Sequence, residues 1–434
     1  MSFTSNSDQI AQHHIRIVLF DLDNTLANTD ELEVFRNTNH PLFKRDMEYI
    51  KELQSFLVNT KPYVSLTTLE EIKKHNIKLG LVTNSPRKYA YAVISAFYKK
   101  NKPFYPFDVV VAFENVERPK PFNDGIFCAI NELKKNDTTL FDIKGTEVLY
   151  IGDNNTDILT AYNGGCLAAL LLSEQEQLHY KNSNTLPEFI ITPTNLIDIV
   201  TCPDKYLPLM ESNYRDFSNY ERPRFLYFNK TDFEGKTRYA TIVAGRYFPQ
   251  TDFFKYKIDF HPLTHEILAL KDGEDFPEKW VKTLRQLLIS ETLYSIFGHL
   301  EVVLSCIPHR KGRPHRLENL LKKLAKYLDD NPIERDCTFY IIPDLFFYDD
   351  DALSNHKEAK TREYRFKNVR EHLHLKRRKD IPNSVDKVIL IDDVITTGAS
   401  LIEASKKLEN EGIKNIVRFA FAQAISEGEF DHDF

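Results

Sequence analysis

The chain has 434 residues, with 57 Lys and Arg against 63 Asp and Glu, and a formal net charge of −6. That length exceeds what one core usually fills, so two domains are expected, and 42% hydrophobic residues suffice to build both. The charge balance argues against a general nucleic-acid binder, no apolar run is long enough to span a bilayer, and Cys128, Cys166, Cys202, Cys306 and Cys337 show no CxxC spacing that would suggest a disulfide framework or a zinc site.

The polar N-terminus lacks an apolar signal core, which together with the cysteine pattern leads us to expect a reducing cytoplasm. From Ile15, "IRIVLFD", "IKLGLVTN", "FDVVVAF" and "EVLYIGD" read as short buried strands. Helical patterns such as "VSLTTLEEIKKHN" and "NDGIFCAINELKKN" lie between them. Strand–helix alternation implies a doubly wound parallel sheet, which "PEFIITPTNLIDIV" closes with a strand and a helix. The segment 203–224 is polar, proline-containing and aperiodic, and is read as a linker between domains at 13–202 and 225–434. The second half opens with β-like "TRYATIVAGRYF" and "FKYKIDF". It continues through the strand "LEVVLSCIP", the basic turn "HRKGRPHR", the helix "LENLLKKLAKYL", the strand "TFYIIPDL" and a charged stretch, Tyr348 to Lys379, to "VDKVILIDD". It is again α/β.

An open parallel sheet delivers functional side chains to its C-terminal edge. Asp21 and Asp23 stand at the first strand tip, two apart and expected on one side. Thr83 ends the second strand, Lys120 precedes a helix in "RPKPFNDGI", and Asp153 and Asp157 follow the fourth strand in "GDNNTD". Clustered carboxylates repel unless a divalent ion joins them, and oxygen donors suit Mg²⁺. A carboxylate beside Mg²⁺ and Lys can attack phosphorus, and a second can protonate the leaving oxygen and then activate water.

With "DLDNT", "LVTNS", "KPFNDGI" and "GDNNTD" in this order, Ile15 to about Val200 resembles the haloacid dehalogenase superfamily of Mg²⁺ phosphohydrolases. The resemblance implies Asp21 as nucleophile, Asp23 as general acid/base, and Thr83 and Lys120 as phosphoryl holders. It also implies a metal site drawn from Asp21, Asp23, Asp153 and Asp157. Arg118 precedes the same proline pattern, so the Lys120 register could slip by two; the "NDGI" spacing favours Lys120. Only about Ala27 to Lys61 is left for a cap, which is therefore small.

Near the far end, "VILIDDVITTGAS" carries a strand, Val388–Ile391, into Asp392 and Asp393. Paired carboxylates can accept hydrogen bonds from neighbouring ribose hydroxyls. The loop at Thr396, Thr397, Gly398, Ala399 and Ser400 precedes a helix, where backbone N–H groups and hydroxyls suit a phosphate dianion and Gly398 permits close approach. The run resembles the binding motif of type I phosphoribosyltransferases, which use 5-phosphoribosyl 1-pyrophosphate (PRPP). "GRYFP" and "CIPHRKGRPHRLENLLKKLA" resemble the competence-protein-F-type branch. The resemblance implies a type I phosphoribosyltransferase α/β fold over about Phe225 to Ser426, a second Mg²⁺, and dimerisation through this domain. Arg310, Lys311, Arg313 and Arg316 would form its pyrophosphate loop, guanidinium forks matching the oxygens; a solvated turn or an RNA contact is the alternative. Lys360, Arg362 and Arg365, with Arg370, are flap candidates that could reach pyrophosphate, unless the charge run is only surface. His309, His315, His356, His372 and His374 lack a convincing ligand spacing and are read as surface groups or phosphate contacts.

Two phosphate sites in one chain suggest a bifunctional enzyme of nucleotide or nucleoside metabolism, acting on small phosphorylated substrates: a phosphomonoester hydrolase and a phosphoribosyltransferase. The alternatives are a phosphatase governed by a non-catalytic PRPP- or nucleotide-sensing domain, and a nucleic-acid-interacting protein, against which the charge of −6 argues.

Overall fold

A computed structural model describes residues 14–98, 104–173, 185–212, 224–271, 273, 275–293, 298–350, 352 and 361–427. The first half forms a six-stranded, all-parallel sheet. Its strands are β1 (Ile17–Phe20), β2 (Lys78–Val82), β3 (Val109–Val111), β4 (Val148–Gly152), β5 (Leu167–Leu171) and β6 (Phe189–Ile191), in the order β3-β2-β1-β4-β5-β6. Every residue of β1, β4 and β5 is buried, as expected of strands covered on both faces. Gly80 sits where a Cβ would lie 2.5 Å from Leu19 Cδ2, so it lets β1 and β2 pack closely.

Helices Leu66–Lys74, Arg87–Phe97, Asp124–Asn136 and Asn155–Asn163 lie between the strands, and Leu196–Thr201 follows the last of them. The first starts where the Ser65 hydroxyl accepts from Thr68 N at 3.0 Å. The cap is small, as expected: a 3₁₀ turn at Asp30–Arg36 and a helix at Asp46–Leu57, with Ala27 bridged to Pro62 at its base.

The second half builds a seven-stranded mixed sheet from β7 (Leu226–Thr231), β8 (Arg238–Val243), β9 (Arg246–Tyr247), β10 (Leu300–Cys306), β11 (Cys337–Ile341), β14 (Lys387–Ile395) and β15 (Ile416–Ala424). The order is β11-β10-β14-β15-β8-β7, with β9 also on β15; only β7 runs antiparallel to its neighbour. In the charged stretch, β12 (Phe346–Tyr348) and β13 (Leu373–Leu375) form a hairpin-like pair around helix Arg362–His372. No helix among the described residues is long and apolar enough to cross a membrane.

Three expectations change. "FKYKIDF" is not β: it forms a 3₁₀ turn and a short helix, Lys255–Ile258, because Lys257 turns inward instead of alternating outward. The strand expected to end at Ile391 runs on to Ile395. Of the expected linker 203–224, residues 213–223 lie outside the described residues, and the part before them is packed. Leu209 and Met210 join the core of the second sheet, and the Glu211 side chain is only 5% exposed.

Buried contacts join the two halves. Tyr162, near the end of helix Asn155–Asn163, meets Phe248 edge to face with ring centroids 4.9 Å apart. Arg246, fully buried, pairs with Glu188 at 3.0 Å and with Glu211, and donates to Tyr162 Oη at 2.8 Å. Lys257 reaches Glu188 at 2.7 Å and the Cys166 carbonyl at 2.8 Å. A Cβ on Gly165 would lie 2.8 Å from the Tyr256 carbonyl oxygen, so this contact requires glycine.

Candidate functional sites

The parallel sheet brings Asp21, Lys120, Asp153 and Asp157 together at its carboxyl edge. Lys120 Nζ donates to Asp21 at 2.6 Å and to Asp157 at 2.7 Å, with all three side chains buried. Carboxylate oxygens of Asp21, Asp153 and Asp157 lie within 4.8 Å of one another. Asp157 can enter this space because Gly152 has no Cβ; one there would overlap the Asp157 carboxyl. The Asn154 side chain caps the helix by accepting from Asp157 N at 3.2 Å. Burial pushes the Asp21 carboxyl well above its usual range, with Lys120 opposing. Burial alone would lower Lys120, but Asp157 and Asp21 outweigh it and hold the ammonium charged. Burial, then Asp157, raises Asp153 to about 6.

The Lys120 register is favoured on geometry: Arg118 is exposed and pairs with Asp124 at 2.6 Å. Thr83, just past the end of β2, is buried, its hydroxyl accepting from Ser85 N at 3.0 Å. Asp23 does not share the acidic cluster. β1 ends at Phe20, so the alternation that would align Asp21 and Asp23 no longer applies, and Asn24 follows with a φ of 56°. The Asp23 carboxylate accepts from Ser85 Oγ at 2.6 Å, Tyr89 Oη at 2.7 Å and Thr29 Oγ1 at 2.8 Å, and faces Arg36 at 3.3 Å. As a side-chain metal ligand it is therefore corrected out of the set. Sequence reasoning missed Arg36, which the cap supplies, and Asn84, whose amide brackets the Lys120 backbone at 2.9 and 3.4 Å. Asn84 stands inside the quoted "LVTNS", so a signal for it existed; Arg36 had none.

In the second half, a cavity of 560 Å³ is lined by every residue from Asp392 to Ser400. Gly398 takes a φ of +83° and opens helix Ala399–Asn410, with residues 396–400 in the cavity wall. Burial and the adjacent Asp393 push Asp392 well above the usual carboxylate range. Arg310, Arg313, Arg316 and Arg365 also line the cavity. Arg316 is already engaged, donating to Asp393 and, at 2.8 Å, to the Leu270 carbonyl. Arg365 reaches Thr396 Oγ1 at 3.1 Å.

Three expected contacts do not gather here. Lys311 pairs with Asp350 at 3.2 Å, and Arg362 donates to the backbone carbonyls of Thr231, Asp232 and Phe233; neither is among the described lining residues. Arg370 is turned to Glu403 at 3.3 Å. Lys360 and His356 lie outside the described residues. Lys230, which no motif signalled, packs against Gly398, and burial followed by Arg362 lowers it to about 8.

A parallel α/β sheet with buried carboxylates and a lysine at its carboxyl edge defines a Rossmann-like hydrolase domain. The sequence profile of the haloacid dehalogenase-like hydrolases matches residues 33–170. Pyrophosphatase PpaX of Bacillus thuringiensis (strain Al Hakam) is 30% identical over 190 residues, covering 36% of this chain and 82% of that protein. PpaX of Bacillus cereus (strain ATCC 10987 / NRS 248) matches to the same extent. Among solved structures, CbbY from Rhodobacter sphaeroides in complex with phosphate shares 16% identity with a TM-score of 0.33, over 42% of this chain and 96% of that one. Through its first domain, the chain belongs to the haloacid dehalogenase-like hydrolases.

Proposed function

We propose that the chain joins a Mg²⁺-dependent phosphomonoester hydrolase, residues 13–202, to a PRPP-dependent phosphoribosyltransferase, residues 225–434, in nucleotide or nucleoside metabolism. The observation that carries the first half is the buried Asp21–Lys120–Asp157 bridge beside Asp153. The oxygen-only donor set of Asp21, Asp153 and Asp157 fits Mg²⁺, which when bound supplies positive charge against phosphoryl oxygens. Asp21 forms a bond to phosphorus as the ester P–O bond breaks, while Thr83 and Lys120 hold the phosphoryl oxygens. Asp23 gives a proton to the departing oxygen, then takes one from the water that cleaves the aspartyl phosphate and restores Asp21.

The second half rests on the cavity wall from Asp392 to Ser400. Asp392 and Asp393 would hold ribose hydroxyls, 396–400 the 5-phosphate, and Arg310, Arg313, Arg316 and Arg365 the pyrophosphate, with a second Mg²⁺ accompanying PRPP. A cytoplasmic location and pairing as a homodimer through the C-terminal domain belong to the same reading.

The hydrolase substrate is either the 5′-phosphate of the transfer product or, as the name of the Bacillus relatives suggests, pyrophosphate. Removing either product pulls a reversible transfer forward. The test compares wild type with Asp21→Asn in Mg²⁺, PRPP and a mixture of bases, read by mass spectrometry. The variant should accumulate a ribosyl phosphate or pyrophosphate that wild type consumes. PRPP untouched by both proteins would remove the transferase. The sensor reading is favoured by one observation, the engagement of Asp393 by Arg316; PRPP that alters hydrolysis without being consumed would establish it.

A further inference from the structure

We infer that His309, His315 and Glu318 form a separate metal site, for a zinc-class divalent ion, in the wall of the C-terminal cavity. One ligand atom from each lies within 4.8 Å of the others. His309 Nδ1 stands 2.7 Å from Glu318 Oε1, and His315 Nδ1 is 3.9 Å from the same oxygen. The two imidazole rings approach to 3.5 Å between centroids at 49°.

A second observation is independent of the clustering. Glu318 is only 6% exposed, and its Oε2 finds no hydrogen-bond donor among the described residues. A buried carboxylate oxygen without a partner is costly, and a metal ion would satisfy it. Its geometry is set in advance, since His309 N donates to Oε1 at 2.9 Å and ties the basic loop to the first turn of helix Arg316–Asp330.

Two imidazole nitrogens and a carboxylate oxygen suit zinc far better than Mg²⁺. Three protein ligands leave a coordination position open. Because His309 and Glu318 line the cavity, water or an anionic group of a bound molecule could fill that position. The site does not depend on transferase activity; a sensor would possess it equally.

The test uses full-length protein stripped of metal, then titrated with zinc chloride in excess Mg²⁺, which occupies the acidic cluster of the first domain. Wild type and Asp21→Asn should each bind a single zinc equivalent, and Co²⁺ in its place should give the intense visible bands of a low-coordinate site. His315 is 62% exposed, so His315→Gln should fold, as circular dichroism would verify. Its zinc affinity should fall by at least the roughly 10–100-fold that loss of an outer partner costs a metal site. His309→Gln/His315→Gln should lose the cobalt bands altogether. Unchanged zinc binding in the double variant, or no zinc bound by wild type at micromolar concentration, overturns the site and leaves Glu318 as a staple of the loop.

Discussion

Replacing Arg246 by Met should destabilise the fold by about 3–5 kcal/mol, the cost of stranding a buried charge by removing its partner. The side chains of Arg246, Glu188 and Glu211 are 0%, 1% and 5% exposed, so solvent cannot compensate. The loss is unequal. Glu188 keeps Lys257 at 2.7 Å. Glu211 keeps the backbone N–H of residue 246 at 2.6 Å and His261 at 3.4 Å, and burial holds that imidazole below its ordinary range despite the nearby carboxylate. Most of the cost therefore falls on Glu211. Adding Glu211→Gln to Arg246→Met should restore a large part of it, whereas adding Glu188→Gln should not. Urea unfolding followed by far-ultraviolet dichroism reports both halves, and fluorescence of Trp280, the one tryptophan, reports the second core. A loss under about 1 kcal/mol, the scale of a surface pair, would refute the account, as would a double variant weaker than the single one.

Acidification should weaken the same junction. Burial lowers His261, so the unfolded chain takes up the proton first and stability falls as pH drops below about 6.5. Burial would raise Glu188 and Glu211, but Arg246 together with Lys257 at Glu188 and with His261 at Glu211 outweighs it and holds both low, so their contribution, complete above about pH 5, is lost as pH falls further. A stability that rises on acidification from pH 7 to 4 in urea titrations would contradict this. Gly165→Ala should cost more than about 1–2 kcal/mol, because its φ of +74° strains any L-residue and the Tyr256 carbonyl leaves no room; an unchanged urea midpoint would contradict it. Arg316→Met should weaken PRPP binding by roughly 10–100-fold, the value of a charge-assisted contact. Tighter binding by calorimetry would instead make Arg316 a competitor for Asp393.

The first sheet was legible because β1 and β4 are short and fully buried and each runs straight into a residue that carries chemistry, Asp21 and Asp153; β5, which runs into Leu172 and Ser173, carried no such mark and was not read as a strand. The acidic cluster followed from that edge. Asp23 did not, since spacing of two aligns side chains only while a strand continues, and β1 has stopped at Phe20. "FKYKIDF" looked β-like on its own, but Lys257 is buried by carboxylate and carbonyl partners from residues 188 and 166, distant in sequence. The His309–His315–Glu318 group was invisible because loop closure creates it: His309 and Glu318 are nine residues apart, and only His315 and Glu318 stand at helical spacing. The role of 203–212 was missed for a related reason, as Glu211 looks like a linker residue until Arg246 is placed beside it.

Helix Asn155–Asn163 has Asp157 in the acidic cluster at one end and Tyr162 under Arg246 at the other. Both halves therefore share a structural member. A lineage that discarded the second half would inherit a first domain with a bare tyrosine, a stranded Glu188 and a glycine fitted to a departed neighbour. Shedding the partner demands several simultaneous repairs, so the buried junction itself holds the two halves in one chain.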